Sequence, residues 1–191
     1  MKRRFLALVL AGCLAAVLST TAWASETPTS VSTEMELTTA LGDTAVTSIQ
    51  LKGNIDISNT LVVTKDVTLD LNGFVLKITG SGSVIKIESG TLTLVDSNPS
   101  AEHKFTNDGN DKPWRLDETA GAEKVKGGVI TGGTGSTYKY NNDIGQIVYN
   151  DCGGGMFVAP GASFVMEGGN IVGCSAGKSG GGGKGTNDGD F

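Results

Sequence analysis

The sequence predicts an all-β chain wound as a parallel coil, on three observations. From Thr47 the apolar pattern has a period of two, in stretches of three to five residues such as "SIQL", "NIDI", "VTLDL", "FVLKI", "VIKI" and "LTLVD". These are rich in Val, Ile, Leu and Thr, the composition of strands. They recur every five to ten residues with no helix between them, closer than the roughly 8–12 residues usual in an antiparallel sandwich. Finally, "GGVITGG" (127–133) and "GGNIVGC" (168–174) share Gly-Gly-x-Ile-x-Gly at an interval of 41 residues. Short strands joined by very short corners are what a parallel β-helix, or solenoid, requires.

The stretch "VTLDLNGFVLKITG" (67–80) is the one that decides between architectures. Asn72-Gly73 flanked by alternating apolar residues is a hairpin signal. It equally suits a corner where a strand passes to the next face of a coil. The short strands around it favour the corner.

Taken from the N-terminus, residues 1–24 read as a signal peptide. Lys2, Arg3 and Arg4 precede the apolar run "FLALVLAGCLAAVLS", and Ala22 and Ala24 supply the small residues of a cleavage site. "LAGC" (10–13) also matches a lipobox, with lipid on Cys13 as the lesser alternative to cleavage after Ala24. Removing residues 1–24 takes three of the 15 basic side chains and no acidic one, which leaves 12 against 20. An acidic exported chain without a basic stripe is a poor partner for nucleic acid, and membrane contact is expected only through the leader or a lipid.

Residues 25–32 form a Ser/Thr/Pro-rich flexible leader. "STEMELTTAL" (32–41) then reads as a short helix, with Thr33 and Glu36 as a capping box, Leu37 and Leu41 on one face, and Gly42 at its end. The β segment runs over 33–183 together with this helix. Two insertions interrupt it. Residues 97–126 are polar, mixed in charge and carry two prolines, which predicts a projecting loop; residues 133–152 form a second excursion. After "SGGGG" (179–183) the pattern fails, and 184–191 form an irregular tail.

These pieces, in this order, resemble exported bacterial proteins of the pectate-lyase-like superfamily, in particular the repetitive, adhesin-like surface type. The matching residues are "STEMELTTAL", "IQLKGNIDI", "LVVTKDVTLDLNGFVLKI", "SVIKIESGTLTLVDS", "GGVITGG", "GGGMFVAPGASFVMEGGNIVGC" and "SGGG". The resemblance implies a right-handed parallel β-helix plugged at its N-terminal end by the helix. It implies inward side chains at Ile49, Leu51, Ile55, Ile57, Leu69, Leu71, Leu76, Ile78, Ile85, Ile87, Leu92, Leu94, Phe164, Met166 and Ile171. Such proteins are usually longer, so an N-terminal fragment of a longer chain is expected.

For function, the resemblance implies a non-catalytic display module that offers its insertions to surface glycans or to proteins of a host or neighbouring cell. The competing expectation is a polysaccharide lyase or glycoside hydrolase relative acting on acidic glycans. Lyases of this fold use acidic residues to hold Ca²⁺ and a basic residue to take a proton. Here Arg115 is the one arginine beyond the leader and lies in an insertion, while Asp56, Asp66 and Asp70 read as a solvated face. Clustered aspartates with a nearby histidine are not visible, so no catalytic residue, metal site or cofactor is assigned. "GCSAGKS" (173–179) has a phosphate-loop spacing one residue short, "GGKGTND" (182–188) is a single copy of a repeat that works only in arrays, and "NDGND" (107–111) lacks the calcium-loop order.

Four aromatic and basic residues in the insertions, Trp114, Arg115, Tyr138 and Tyr140, are the ligand-contact candidates. Exposed aromatics stack on sugar faces, although Trp114 could instead anchor its own loop. Cys152 and Cys174 could pair in an oxidising compartment, or stay as two partly buried thiols.

Overall fold

The computed structural model describes residues 27–107, 114–135 and 153–176, together with the backbone of 139–141 and 146–148. The leader with Cys13, Tyr138, Cys152 and the tail 184–191 lie outside the described residues. The chain begins with β1 (Thr29–Val31) and α1 (Glu34–Gly42), then runs β2 (Ser48–Leu51), β3 (Ile55–Ile57) and β4 (Leu61–Val63). A second round follows as β5 (Val67–Asp70), β6 (Val75–Ile78) and β7 (Ile85–Ile87). The third starts at β8 (Thr91–Val95), leaves into β9 (Glu102–Thr106), β10 (Arg115–Leu116) and β11 (Glu123–Lys126), and resumes at β12 (Val129–Thr131). It leaves again into β13 (Lys139–Asn141) and β14 (Gln146–Val148), and returns at β15 (Met156–Val158). Last come β16 (Ser163–Met166) and β17 (Asn170–Ile171).

Successive strands of each round belong to three different sheets, always in the same order. The first sheet is ordered β1-β2-β5-β8-β16, the second β3-β6-β12-β17 and the third β4-β7-β15, and every pairing in them is parallel. Asn72-Gly73 is therefore a corner. The strand before it pairs in the first sheet and the strand after it in the second. The repeat of 41 residues has a direct meaning: Val129 stacks on Asn170 and Ile130 on Ile171 in neighbouring rounds.

Alternation places one face of each strand in the space between the three sheets. Twelve of the expected inward residues, Ile49 through Leu94, are buried there, with Leu61, Val63, Val67 and Ile130 beside them. Phe164, Met166 and Ile171 pack on this core but are only partly buried, because their strands β16 and β17 lie at the ends of their sheets.

The N-terminal end is covered by α1, which buries Leu37, Ala40 and Leu41. Thr33 Oγ1 accepts from Glu36 N at 3.2 Å, as the capping pattern predicts. Glu36 closes the box one residue further back, on Ser32 N at 2.7 Å. The last turn of α1 holds no basic residue of its own. Lys65, from the link between β4 and β5, supplies the charge by donating to the carbonyls of Ala40 (3.1 Å), Asp43 and Val46 (2.6 Å).

Three expectations change. Residues 25–32 are not all flexible leader: β1 pairs with β2, Thr29 on Ile49, and Val31 is buried. The insertion 97–126 is not a plain loop: β10, β9 and β11 form a three-stranded antiparallel sheet, called the flap below. Asp70 is not solvated. It faces away from the central core, yet Gln50 and the segment after β8 cover it, leaving it 7% exposed.

Candidate functional site: the flap and the clefts beside Trp114

The corner from the first to the second sheet is built from polar side chains that reach between rounds. Asp70 Oδ1 accepts from Asn72 N (2.8 Å) and Ser97 N (2.9 Å), and its Oδ2 accepts from Gln50 Nε2 (2.6 Å). Burial pushes the Asp70 carboxyl up, but these hydrogen bonds outweigh it and hold its pKa below the ordinary 3.8. Asn72, at φ 48°, donates to Leu51 O in the round before (3.0 Å). Gly73 follows at φ 76°, where a Cβ would lie 2.8 Å from Ala101 Cβ, so the corner needs glycine there. Asp96 accepts from Gly73 N and Gly128 N, each at 2.7 Å, one with each oxygen.

From this corner the chain leaves to make the flap, which folds over the outer face of the second sheet. That face presents Val75 and Val129, with Val172 just beyond β17. Phe105 of β9, fully buried, packs on them, and Trp114, Leu116 and Val125 close around the cluster. The outer face of the second sheet is therefore covered at Val75 and Val129, while Asp56 of β3 stays exposed. His103 fastens the flap to the corner: its Nε2 lies 2.8 Å from Gly73 O and its Nδ1 2.7 Å from Glu118 Oε1. A carbonyl oxygen only accepts, so Nε2 carries a hydrogen. Glu118 also accepts from Lys104 N at 3.1 Å, and Asp117 shapes the turn after β10 by accepting from Thr119 N and Ala120 N.

Trp114 stands between two clefts. The larger, about 500 Å³, lies between the flap and the segment 167–172 and is lined by Phe105, Val125, Glu123, Lys126, Glu167 and Asn170 among others. The smaller, about 390 Å³, is lined by Lys77, Arg115, Thr131, Thr134 and Ser175 together with glycine backbone. The backbone of Trp114 rests on the sheet edge at Gly173, where a Cβ would come within 2.5 Å of Trp114 O. Trp114 is thus both an anchor of its own segment and a shared wall of two clefts.

Of the ligand-contact candidates, the structure brings Trp114 and Arg115 together on the smaller cleft. Arg115 ion-pairs with Asp117 at 3.5 Å. Tyr140 is in β13, in register with Ile147 of β14, and its side chain lies outside the described residues. Cys174 packs against the central core, and burial pushes its thiol up to about 11 against the opposing amides of Gly133 and Gly132. Its expected partner Cys152 lies outside the described residues. Among the described residues no group of three His, Cys, Asp or Glu side chains is placed to hold a metal ion. Sequence reading missed Lys77, Glu123, Glu167 and the flap itself.

The chain belongs to a family of pectate-lyase-like proteins. The family model, described as "Putative pectate lyase-like adhesive domain", matches residues 28–144, well over half of the chain and inclusive of the flap. No curated protein and no solved structure matched.

Proposed function

We propose that this chain is an exported, surface-displayed adhesive module, a right-handed parallel β-helix that holds its flap out to surface glycans or to proteins of a neighbouring cell. The observation that carries the reading is the flap. It lies inside the span matched by an adhesive-domain family, and it is fastened by His103, Asp96 and a buried apolar cluster around Phe105 beside two open clefts. The constant order of three parallel sheets, with α1 over one end, supports the β-helix. The apolar run before Ala24 supports export by a signal peptide.

Display rather than catalysis is favoured by how the acidic residues are used. Asp70 is consumed by three hydrogen bonds of the corner, and Asp66 accepts from Thr91 N at 2.8 Å. The test is to label intact producing cells with an antibody to the flap and to sequence the N-terminus of the exported product. Labelling of intact cells and a chain starting at Ser25 are expected; an uncleaved, internal product contradicts the reading.

One observation favours the lyase alternative: Lys77 and Arg115 both line the smaller cleft, where an acidic sugar would find positive charge. Release of unsaturated uronides from polygalacturonate, abolished by Arg115→Ala, would establish it.

A further inference from the structure

We propose that the larger cleft beside Trp114 binds a non-acidic pyranose sugar, neutral or amino-substituted; this rests on the adhesive reading above and names the ligand class of that site. At about 500 Å³ the cleft falls in the range of small-molecule sites, roughly 300–1,000 Å³. One part of its lining is apolar: Trp114 and Val125 are partly exposed there, with Phe105 and Val172 buried behind them. The C–H face of a pyranose is apolar too and stacks on such a surface, whereas its hydroxyls need acceptors around the edge.

The rim supplies them. Glu123 and Glu167 are exposed, line the cleft, and neither carboxylate makes a hydrogen bond or ion pair among the described residues. An ionised carboxylate is acceptor-only, with two oxygens that can take adjacent hydroxyls as charge-assisted hydrogen bonds.

Charge then selects among sugars. Asp96, Glu123 and Glu167 meet Lys124 and Lys126 at this cleft, and Lys124 is already engaged by Glu102 at 2.9 Å. A uronate ring would bring its carboxylate against the two free carboxylates of the rim. The neighbouring smaller cleft is basic, but Arg115 is met by Asp117, and Lys77 stands in register beside Asp56. Within the larger cleft the two rim carboxylates without an ion pair, Glu123 and Glu167, outnumber the one lysine without an ion pair among the described residues, Lys126.

The test uses the chain with Trp23→Phe, so that Trp114 is the only indole, and follows its fluorescence during titration at low ionic strength. Probes are neutral hexose oligomers, chitosan oligomers and polygalacturonate at equal ring concentration. Saturable change with a neutral or chitosan oligomer is expected, with polygalacturonate weaker. The double variant Glu123→Gln, Glu167→Gln should bind about tenfold more weakly at unchanged melting temperature, since both residues are exposed. Trp114→Ala should abolish binding, and the rim variant keeps the test valid if that change loosens the flap. Tighter binding of polygalacturonate, or rim variants of unchanged affinity, overturns the proposal. Silence of Trp114 toward every sugar also overturns it. In that last case, continued adhesion of the chain to cells leaves the adhesive reading standing, and loss of both removes both.

Discussion

His103 Nε2 donates to the carbonyl oxygen of Gly73 at 2.8 Å, across 30 positions of sequence, and so ties the flap to the corner beneath it. With Nδ1 on Glu118 at 2.7 Å, both nitrogens of a buried ring are satisfied. Replacing His103 by Ala leaves Gly73 O without this partner and is expected to cost about 2 kcal/mol. The loss should be local. Amides of β9 and β11 should exchange faster with solvent, those of β2 and β5 should not, and Trp114 emission should shift to the red. Uniform loss of protection across the chain would contradict this assignment.

Asp70 gives the molecule an acid-sensitive corner. Its folded pKa is depressed, so its contribution to stability is complete well above the unfolded value near 3.8 and is lost as pH falls through the depressed folded value. Stability of the native chain to urea should fall as pH drops from about 5 to about 2. Asp70→Ala should be less stable by about 2–3 kcal/mol at pH 7 and show a smaller acid loss. Equal acid sensitivity of the two chains would remove Asp70 from the account.

Lys65 carries the C-terminal end of α1 by donating to three carbonyls. Lys65→Met keeps most of the stem and removes the donor, and is expected to cost about 1.5–3 kcal/mol. Thermal unfolding of this variant against Lys65→Arg checks it. Retention of full stability in Lys65→Met would show that water replaces the ammonium.

Two glycines should respond in opposite directions. Gly42 ends α1 with open space where a Cβ would go, so Gly42→Ala should stabilise by about 0.5–1 kcal/mol. Gly73 sits at φ 76° with side chains 2.8 Å from a Cβ position, so Gly73→Ala should destabilise by at least about 1–2 kcal/mol. Chemical denaturation of both variants decides the pair, and the same sign for both would contradict the backbone geometry.

Much of the parallel core was legible because the alternation is nearly unbroken from Ile49 to Leu94. The flap was harder. Its apolar residues Phe105, Leu116 and Val125 stand singly among polar ones, with no period to mark them. A signal existed on the other side of the contact. Val75-Leu76 and Val129-Ile130 are apolar doublets at stacked positions, and Ile171-Val172 is a third, displaced by one position, so apolar side chains reach both faces of the second sheet and its outer face calls for a cover. The burial of Asp70 could not be read, because Gln50 and Ser97, which cover it, lie 20 and 27 positions away. The clefts were half legible: Trp114 stood out, whereas Glu123 and Glu167 meet only once β11 and the segment after β16 are brought together.

The most direct test of the adhesive reading probes an array of immobilised glycans and cell-surface proteins with the purified chain, its Glu123→Gln, Glu167→Gln variant and Trp114→Ala. The account predicts saturable binding to a surface component that weakens in both variants. Binding unaffected by either variant, or no binding together with cleavage of polygalacturonate, would contradict it.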